Sequence, residues 1–204
     1  MKIFKNIIFD LGGIFIDINY PKTEQAFIEL GVKNFSDLYN QHHANPLFEN
    51  LETGKITPDE FYKEFRKATI ATLTNEQIIK AWNAMLGNFA HEKLGWLQKI
   101  KSQYNIYLFS NTNLIHYNCF QQIFSSTTSY KNFDDFFIHA YYSHSLGMRK
   151  PYPESYIQIL EKENLVAAET LFIDDTPKNI EGARQAGLQT ILLIPPATVI
   201  DLNF

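Results

Sequence analysis

The chain has one cysteine, no long apolar run and no excess of positive charge. Each of these absences argues against a particular class of protein. Cys119 has no second cysteine for an internal disulfide, so we expect a protein of a reducing compartment. Residues 1–10 contain three consecutive apolar residues, which are too few for a secretory signal peptide. The sequence contains no run of about 18 apolar residues, so we expect no transmembrane helix. We therefore expect a cytoplasmic protein that does not enter the membrane.

The charge balance gives little support for a nucleic-acid partner. There are 18 Lys and Arg against 22 Asp and Glu, a net charge of −4, and no basic run. Apolar residues make up 45% and charged residues 20% of the chain, which is typical of a folded globular protein. The 204 residues suffice for one domain, or for one domain with an insertion, and we expect a monomer or weak homodimer.

Short apolar runs alternate with helical patterns over much of the chain. The runs 7–9, 106–109, 171–173 and 191–194 are typical of strands buried on both faces. Helical patterns cover 153–164 and 177–186, each with a proline near its start. This alternation predicts an α/β fold, a Rossmann-like parallel sheet with helices on both faces.

Residues 17–92 have a different pattern, with apolar residues at helical spacing and no strand-like run. Thr57 and Thr74 each begin a stretch with an acid or amide three residues later, which is typical of a helix N-terminus. We therefore expect a helical bundle over 17–92, inserted into a core formed by 1–16 and 93–204.

Polar residues follow three of the predicted strands. Asp10 follows the first, Ser110 and Asn111 the second, and Asp174 and Asp175 the third. Ligands of open α/β sheets bind at the carboxyl ends of strands, so these side chains are expected to form one polar site. The alternative is that each residue merely begins a turn.

The chemistry of such a site follows from its acids. Asp10, Asp174 and Asp175 would repel one another unless a cation lay between them, and Mg²⁺ is common where a phosphate completes the coordination shell. A carboxylate can also act as a nucleophile and form an aspartyl-phosphate. Gly12 and Gly13 allow backbone N–H groups to approach a small anion.

Lys150 precedes Pro151 and could reach a phosphoryl group as a point charge. On its own, this residue is better explained as an ordinary surface lysine. A role for Lys150 in a site is indicated only by the set of motifs in which it occurs.

Four motifs, in this order, resemble those of the haloacid dehalogenase-like (HAD) hydrolase superfamily. They are residues 7–13, 108–112, 149–151 and 172–175. The inserted bundle is similar to the small helical cap that follows the first motif in one class of the family. Segments 52–57 and 146–151 most resemble sugar-phosphate phosphatases of the α-D-glucose-1-phosphate phosphatase type.

The resemblance implies a Mg²⁺-dependent phosphatase that acts on a small phosphate ester, with Asp10 as nucleophile. Mg²⁺ would be held by Asp10, the backbone carbonyl of Gly12, and the two carboxylates Asp174 and Asp175.

The resemblance also implies where the phosphoryl group would bind. Ser110 and the backbone of Asn111 would contact its oxygens. Lys150 would act as a second catalytic residue, by neutralising charge between Asp10 and the substrate.

One departure leaves other functions open. Many family phosphatases carry an acid/base aspartate where this chain has Gly12. By residue type, the side chains that could replace it are His42, His43, Glu49 and Glu52. The alternatives are dehalogenase-type or phosphomutase chemistry, or a catalytically weak member that binds a phosphorylated ligand.

Overall fold

The computed structural model describes residues 4–33, 35–40 and 43–203. The strands in chain order are β1 (Asn6–Phe9), β2 (Ile16–Ile18), β3 (Tyr39–Asn40), β4 (His43–Ala44), β5 (Leu86–Phe89), β6 (Asn105–Ser110), β7 (Ala140–Tyr142), β8 (Thr170–Asp174) and β9 (Gln189–Leu192). The α-helices are α1 (Tyr20–Glu29), α2 (Phe35–Leu38), α3 (Pro46–Glu52), α4 (Pro58–Thr69), α5 (Asn75–Asn83), α6 (His91–Lys101), α7 (Leu114–Thr127), α8 (Ser143–Leu146), α9 (Pro153–Glu163) and α10 (Pro177–Gln185). Short 3₁₀ helices cover Phe133–Phe136, Ala167–Glu169 and Val199–Asp201.

A five-stranded parallel sheet forms the centre of the core, in the order β7-β6-β1-β8-β9. β1 lies in the middle, with Ile8 opposite Tyr107 of β6 and Phe172 of β8. The four predicted strands are confirmed, although the last ends at Leu192. β7 was not predicted, because its three residues at the sheet edge carry too short a pattern.

The two faces of the sheet bury alternate residues of each strand. Ile7 and Phe9 of β1 belong to a cluster that includes side chains of α6 and α7. Ile8 faces the other way and packs in a second cluster with side chains of α9 and α10. Since successive strand residues point to opposite faces, helices cover both sides of the sheet, and the predicted fold class is confirmed.

The helices α9 and α10 match the predicted segments closely. Each has a proline in its first turn, where a missing N–H costs nothing. α9 stops at Asn164, which adopts the left-handed conformation, and Gly187 has the same backbone region just beyond α10.

Helices α1 to α5 pack around a hydrophobic cluster of their own, rich in aromatic side chains. Phe48 and Trp82 are fully buried in it, with their ring centroids 5.0 Å apart. Thr57 and Thr74 cap α4 and α5 with reciprocal hydrogen bonds to Glu60 and Gln77, as the sequence predicts.

The expectation of no strand within residues 17–92 is wrong. β5 pairs antiparallel with β2, and β3 pairs with β4 in a small hairpin. Gly87 of β5 lies so close to Asp17 that a Cβ at this position would contact the Asp17 backbone at 2.9 Å. β5 is defined by its pairing with β2 and not by a local alternating pattern. The two-stranded ribbon of β2 and β5 joins the cap to the core.

In the part of the chain that is described, no helix has the length and apolar character that crossing a membrane requires.

Candidate active site

The carboxyl ends of β1, β6 and β8 meet at one edge of the sheet, facing the cap. Asp10, Ser110 and Asp174 stand at or just after the last residue of these strands. A cavity of about 510 Å³ lies between this edge and the cap helices. Asp10, Ser110, Lys150 and Asp175 all line it, so the structure brings together the residues that the motifs single out.

Lys150 lies at the centre of the charged groups. Its Nζ is 2.7 Å from Oδ1 of Asp10 and 2.7 Å from Oδ2 of Asp174, and its side chain is 1% exposed. The rings of Phe109 and Phe172 flank the ammonium at 5.6 and 5.4 Å. Burial alone would lower the pKa of Lys150, but the two carboxylates raise it above its ordinary value, so the lysine stays charged.

Asp174 uses both of its oxygens for contacts within the protein. The backbone N–H of Thr176 donates to Oδ1 at 2.8 Å, and the amide of Asn179 donates to both oxygens at 3.0 Å. Together with Lys150, these donors fix the carboxylate in one orientation. The part played by Asn179 was not predicted, because only its place on α10 aims the amide at Asp174.

Asn111 contributes its side chain in a way that the sequence does not reveal. Its Nδ2 donates to the carbonyl of Lys150, and its Oδ1 accepts from the Lys150 N–H, both at 2.9 Å. The amide thus holds the backbone of the lysine by two hydrogen bonds. Its predicted contact with a phosphoryl group, through the backbone of Asn111, stays a prediction.

Ser110 is 4% exposed and lines the cavity, and its hydroxyl makes no hydrogen bond to any residue that the structure describes. A hydroxyl in a cavity without a protein partner is free to contact a ligand. Gly12 lines the same cavity next to Asp10. Coordination of Mg²⁺ by the backbone carbonyl of Gly12 also stays a prediction.

The three acids are close enough to share one cation. Ligand oxygens of Asp10, Asp174 and Asp175 all lie within 4.8 Å of one another. Burial raises the pKa of Asp10 to about 7, with Lys150 opposing the rise and the charges of Asp174 and Asp175 adding to it. Burial, and then the charge of Asp174, also raise the pKa of Asp175. A hard divalent cation with oxygen ligands fits this donor set and would stabilise the charged carboxylates.

Gly13 makes this arrangement of acids possible. Its φ of +72° lies in the left-handed region, and a Cβ at this position would overlap Oδ2 of Asp175. Glycine therefore leaves room for a carboxylate oxygen directly beside the loop that follows β1.

The cap side of the cavity carries a second polar group of residues. Glu52 of α3 is 4% exposed and accepts a hydrogen bond from the Tyr39 hydroxyl at 3.1 Å. Its Oε2 lies 3.1 Å from Nη2 of Arg149, the residue that precedes Lys150. Burial raises the pKa of Glu52, while Arg149 and the Tyr39 hydroxyl oppose the rise. The Tyr20 hydroxyl has no hydrogen-bond partner among the described residues.

Two of the proposed replacements for the missing acid/base line the cavity, Glu49 and Glu52. His42 lies outside the described residues, as does the side chain of His43.

Comparisons with known proteins agree with this geometry. The family model "haloacid dehalogenase-like hydrolase" matches residues 4–187. A D-ribitol-5-phosphate phosphatase from Bacteroides thetaiotaomicron is 34% identical over 188 residues, which cover 91% of this chain and 90% of the relative. A sesquiterpene phosphatase from Aspergillus oryzae is 28% identical and covers 98% of this chain and 95% of its own length.

Solved structures of HAD-family enzymes are also similar to this chain. A variant of a HAD-family enzyme from Bacteroides thetaiotaomicron, solved with magnesium and inorganic phosphate, superposes with a TM-score of 0.91. It is 30% identical and covers 96% of both chains. The predicted family is thereby confirmed: the chain belongs to the haloacid dehalogenase-like hydrolases.

Proposed function

We propose that the protein is a Mg²⁺-dependent phosphatase that hydrolyses a sugar phosphate through an aspartyl-phosphate on Asp10. The observation that carries this proposal is the buried amine of Lys150, 2.7 Å from both Asp10 and Asp174, beside an acid cluster. The phosphatase names of two relatives and the magnesium and phosphate in a similar structure support it.

In the proposed first step, a carboxylate oxygen of Asp10 attacks phosphorus, and the bond from phosphorus to the sugar oxygen breaks. Lys150 stays protonated and offsets negative charge between the nucleophile and the phosphoryl oxygens. Ser110 and the Asn111 backbone N–H contact those oxygens, while the Asn111 side chain keeps the lysine in place.

In the second step, water attacks the phosphorus of the aspartyl-phosphate. The bond between phosphorus and the Asp10 oxygen breaks, inorganic phosphate leaves, and the carboxylate is restored. Both steps need a proton to move, since the sugar oxygen gains one and the attacking water loses one. With Gly12 in place of an acid, a cap carboxyl (Glu49 or Glu52) or a water molecule carries that proton.

Asp10, Asp175 and the Gly12 carbonyl would hold Mg²⁺, with Asp174 nearby as a direct or water-mediated partner. Bound there, the ion supplies positive charge that stabilises the phosphoryl oxygens as charge develops on them. Since protein donors already occupy both Asp174 oxygens, we expect Asp10 and Asp175 to be the main carboxylate ligands.

A phosphate-release screen over phosphorylated metabolites with Mg²⁺ tests the proposal. We expect release from a sugar phosphate, its loss on chelation and recovery on adding Mg²⁺, and its loss in Asp10→Asn, which removes the nucleophile but keeps the shape. Undiminished release in the variant, or after chelation, would contradict the mechanism. Halide release from a haloacid without added metal would instead support the dehalogenase alternative.

A further inference from the structure

The cap side of the cavity holds polar groups whose hydrogen-bonding capacity the described protein does not use. We propose that Glu52, Arg149 and Tyr20 bind hydroxyl groups on the carbon chain of the substrate and so select a polyhydroxylated phosphate ester. This inference rests on the proposed phosphatase function and adds to it the residues that recognise the leaving group.

The first group is the buried ion pair of Glu52 and Arg149. Oε1 of Glu52 accepts from Tyr39, but Oε2 makes no hydrogen bond although it lies 3.1 Å from Arg149 Nη2. Nε of Arg149 is likewise buried without a hydrogen bond to a described group. Leaving such groups unmatched in a folded protein costs free energy.

This pair has the chemistry that a hydroxyl group matches. A hydroxyl donates one hydrogen bond and accepts others, so it can bind a carboxylate oxygen and a guanidinium N–H at the same time. Both Glu52 and Arg149 line the cavity that holds Asp10. A substrate hydroxyl that reached them would donate a hydrogen bond to Glu52 and accept one from Arg149.

Tyr20 is the second group, and it stands on a different element, at the first residue of α1. Its hydroxyl has no partner among the described residues, and the side chain lines the same cavity. Burial, then the charge of Glu52 and that of Asp10, raise the pKa of Tyr20 above its ordinary value. The phenol is therefore neutral at physiological pH and available to donate.

The cavity that holds these groups and the catalytic residues limits the size of the substrate. Arg149 is adjacent in sequence to Lys150, which contacts Asp10, and both residues line this cavity. A volume of about 510 Å³ accommodates a small metabolite. An apolar chain would leave Glu52 Oε2 and Arg149 Nε buried without a hydrogen bond, which disfavours such a substrate.

Two phosphate esters of equal carbon number test the proposal, D-ribitol 5-phosphate and n-pentyl phosphate. The readout is selectivity, the ratio of kcat/KM for the first ester to that for the second. We expect Glu52→Gln to lower this ratio roughly 10- to 100-fold and Tyr20→Phe roughly 3- to 10-fold, as for loss of a charged and a neutral hydrogen bond. Glu64→Gln, on the exposed surface of α4, is the matched control and leaves the ratio unchanged.

Tyr20→Phe removes a hydroxyl that bonds no described residue, so its thermal unfolding midpoint should equal that of the wild type. A folded variant with an unchanged ratio overturns the role of Tyr20. Equal losses on both esters in Glu52→Gln overturn the role of Glu52, because a structural contact or a proton donor affects every substrate alike. Wild-type protein that releases phosphate from neither these esters nor any in the metabolite screen refutes the proposed function itself. Wild-type preference for pentyl phosphate refutes only this inference.

Discussion

The charged groups around Lys150 on the core side of the cavity and the polar groups on its cap side differ in how completely they are hydrogen-bonded. On the core side, protein donors occupy both oxygens of Asp174, and Asn111 holds the Lys150 backbone at two points. On the cap side, Glu52 keeps one oxygen without a hydrogen bond, and Tyr20 has no described partner. The difference indicates that hydrogen bonds within the protein position Lys150 and Asp174 before substrate binds. The groups that we assign to substrate recognition form their remaining hydrogen bonds only with the substrate.

The largest effect should come from removing the cation on the core side. Lys150→Met leaves Asp10 and Asp174 adjacent and buried without their shared partner. We expect kcat/KM to fall at least about 10³-fold and the free energy of unfolding to drop by about 3–5 kcal/mol. Phosphate release and chemical denaturation measure the two quantities. Lys99→Met, on the exposed face of α6, is the control, and equal activity in the two variants would show that the core side does not depend on Lys150.

A smaller effect is expected from moving the loop that carries Lys150. In α10, Gly182 packs so closely that a Cβ would overlap the carbonyl of Pro151. Gly182→Ala should therefore displace the loop, lowering kcat roughly 10- to 100-fold and stability by about 1–3 kcal/mol.

A second helix glycine controls for the effect of substitution alone. A Cβ on Gly95 of α6 meets no atom within 4 Å, so Gly95→Ala should stabilise the protein by about 0.5–1 kcal/mol and leave kcat unchanged. Wild-type kcat in Gly182→Ala would mean that the loop tolerates displacement.

The smallest effect on activity is expected at the junction between core and cap, where the change appears in stability alone. His116 of α7 donates from Nε2 to the Trp82 carbonyl at the end of α5, while its Nδ1 accepts from the Asn113 amide. Burial lowers the pKa of His116 to about 4, and the hydrogen bond to Trp82 opposes the shift. The folded state thus binds fewer protons than the unfolded state between about pH 4 and 6.5.

The stabilising contribution of the neutral imidazole is complete above about pH 6.5 and is lost as the pH falls towards 4. We expect the wild type to lose up to about 3 kcal/mol more than His116→Gln over this window, measured by denaturant unfolding at each pH. Other groups titrate in the same range, so the difference between the two proteins is the observable. Parallel stability curves would show that His116 is not buried in its neutral form.

The sequence predicted the main elements of the core because they carry strong local patterns. Continuous apolar runs identify β1, β6, β8 and β9, and the capping residues Thr57 and Thr74 locate two cap helices. The short strands β5 and β7 depend on pairing with distant residues, which no local pattern contains. The exact division into 1–16 with 93–204 and 17–92 stays a prediction.

At the active site, the motifs predicted which residues meet, but not what each side chain does. The convergence of Asp10, Lys150 and the Asp174–Asp175 pair follows from strand ends and motif order. The two hydrogen bonds from Asn111 and the contact of Asn179 with Asp174 depend on the exact path of loops and helices. The roles of Gly13 and Gly182 are equally invisible in sequence, since they reflect close approach in three dimensions.

The central claim is that Asp10 forms a covalent bond to phosphorus during turnover. It is tested most directly by adding borohydride to the enzyme as it hydrolyses a sugar phosphate with Mg²⁺, followed by peptide mass spectrometry. An acyl phosphate on Asp10 is reduced to homoserine, so we expect that residue at position 10 only when substrate is present. Continued phosphate release with unmodified Asp10, or with reduction at another carboxylate, would contradict the account.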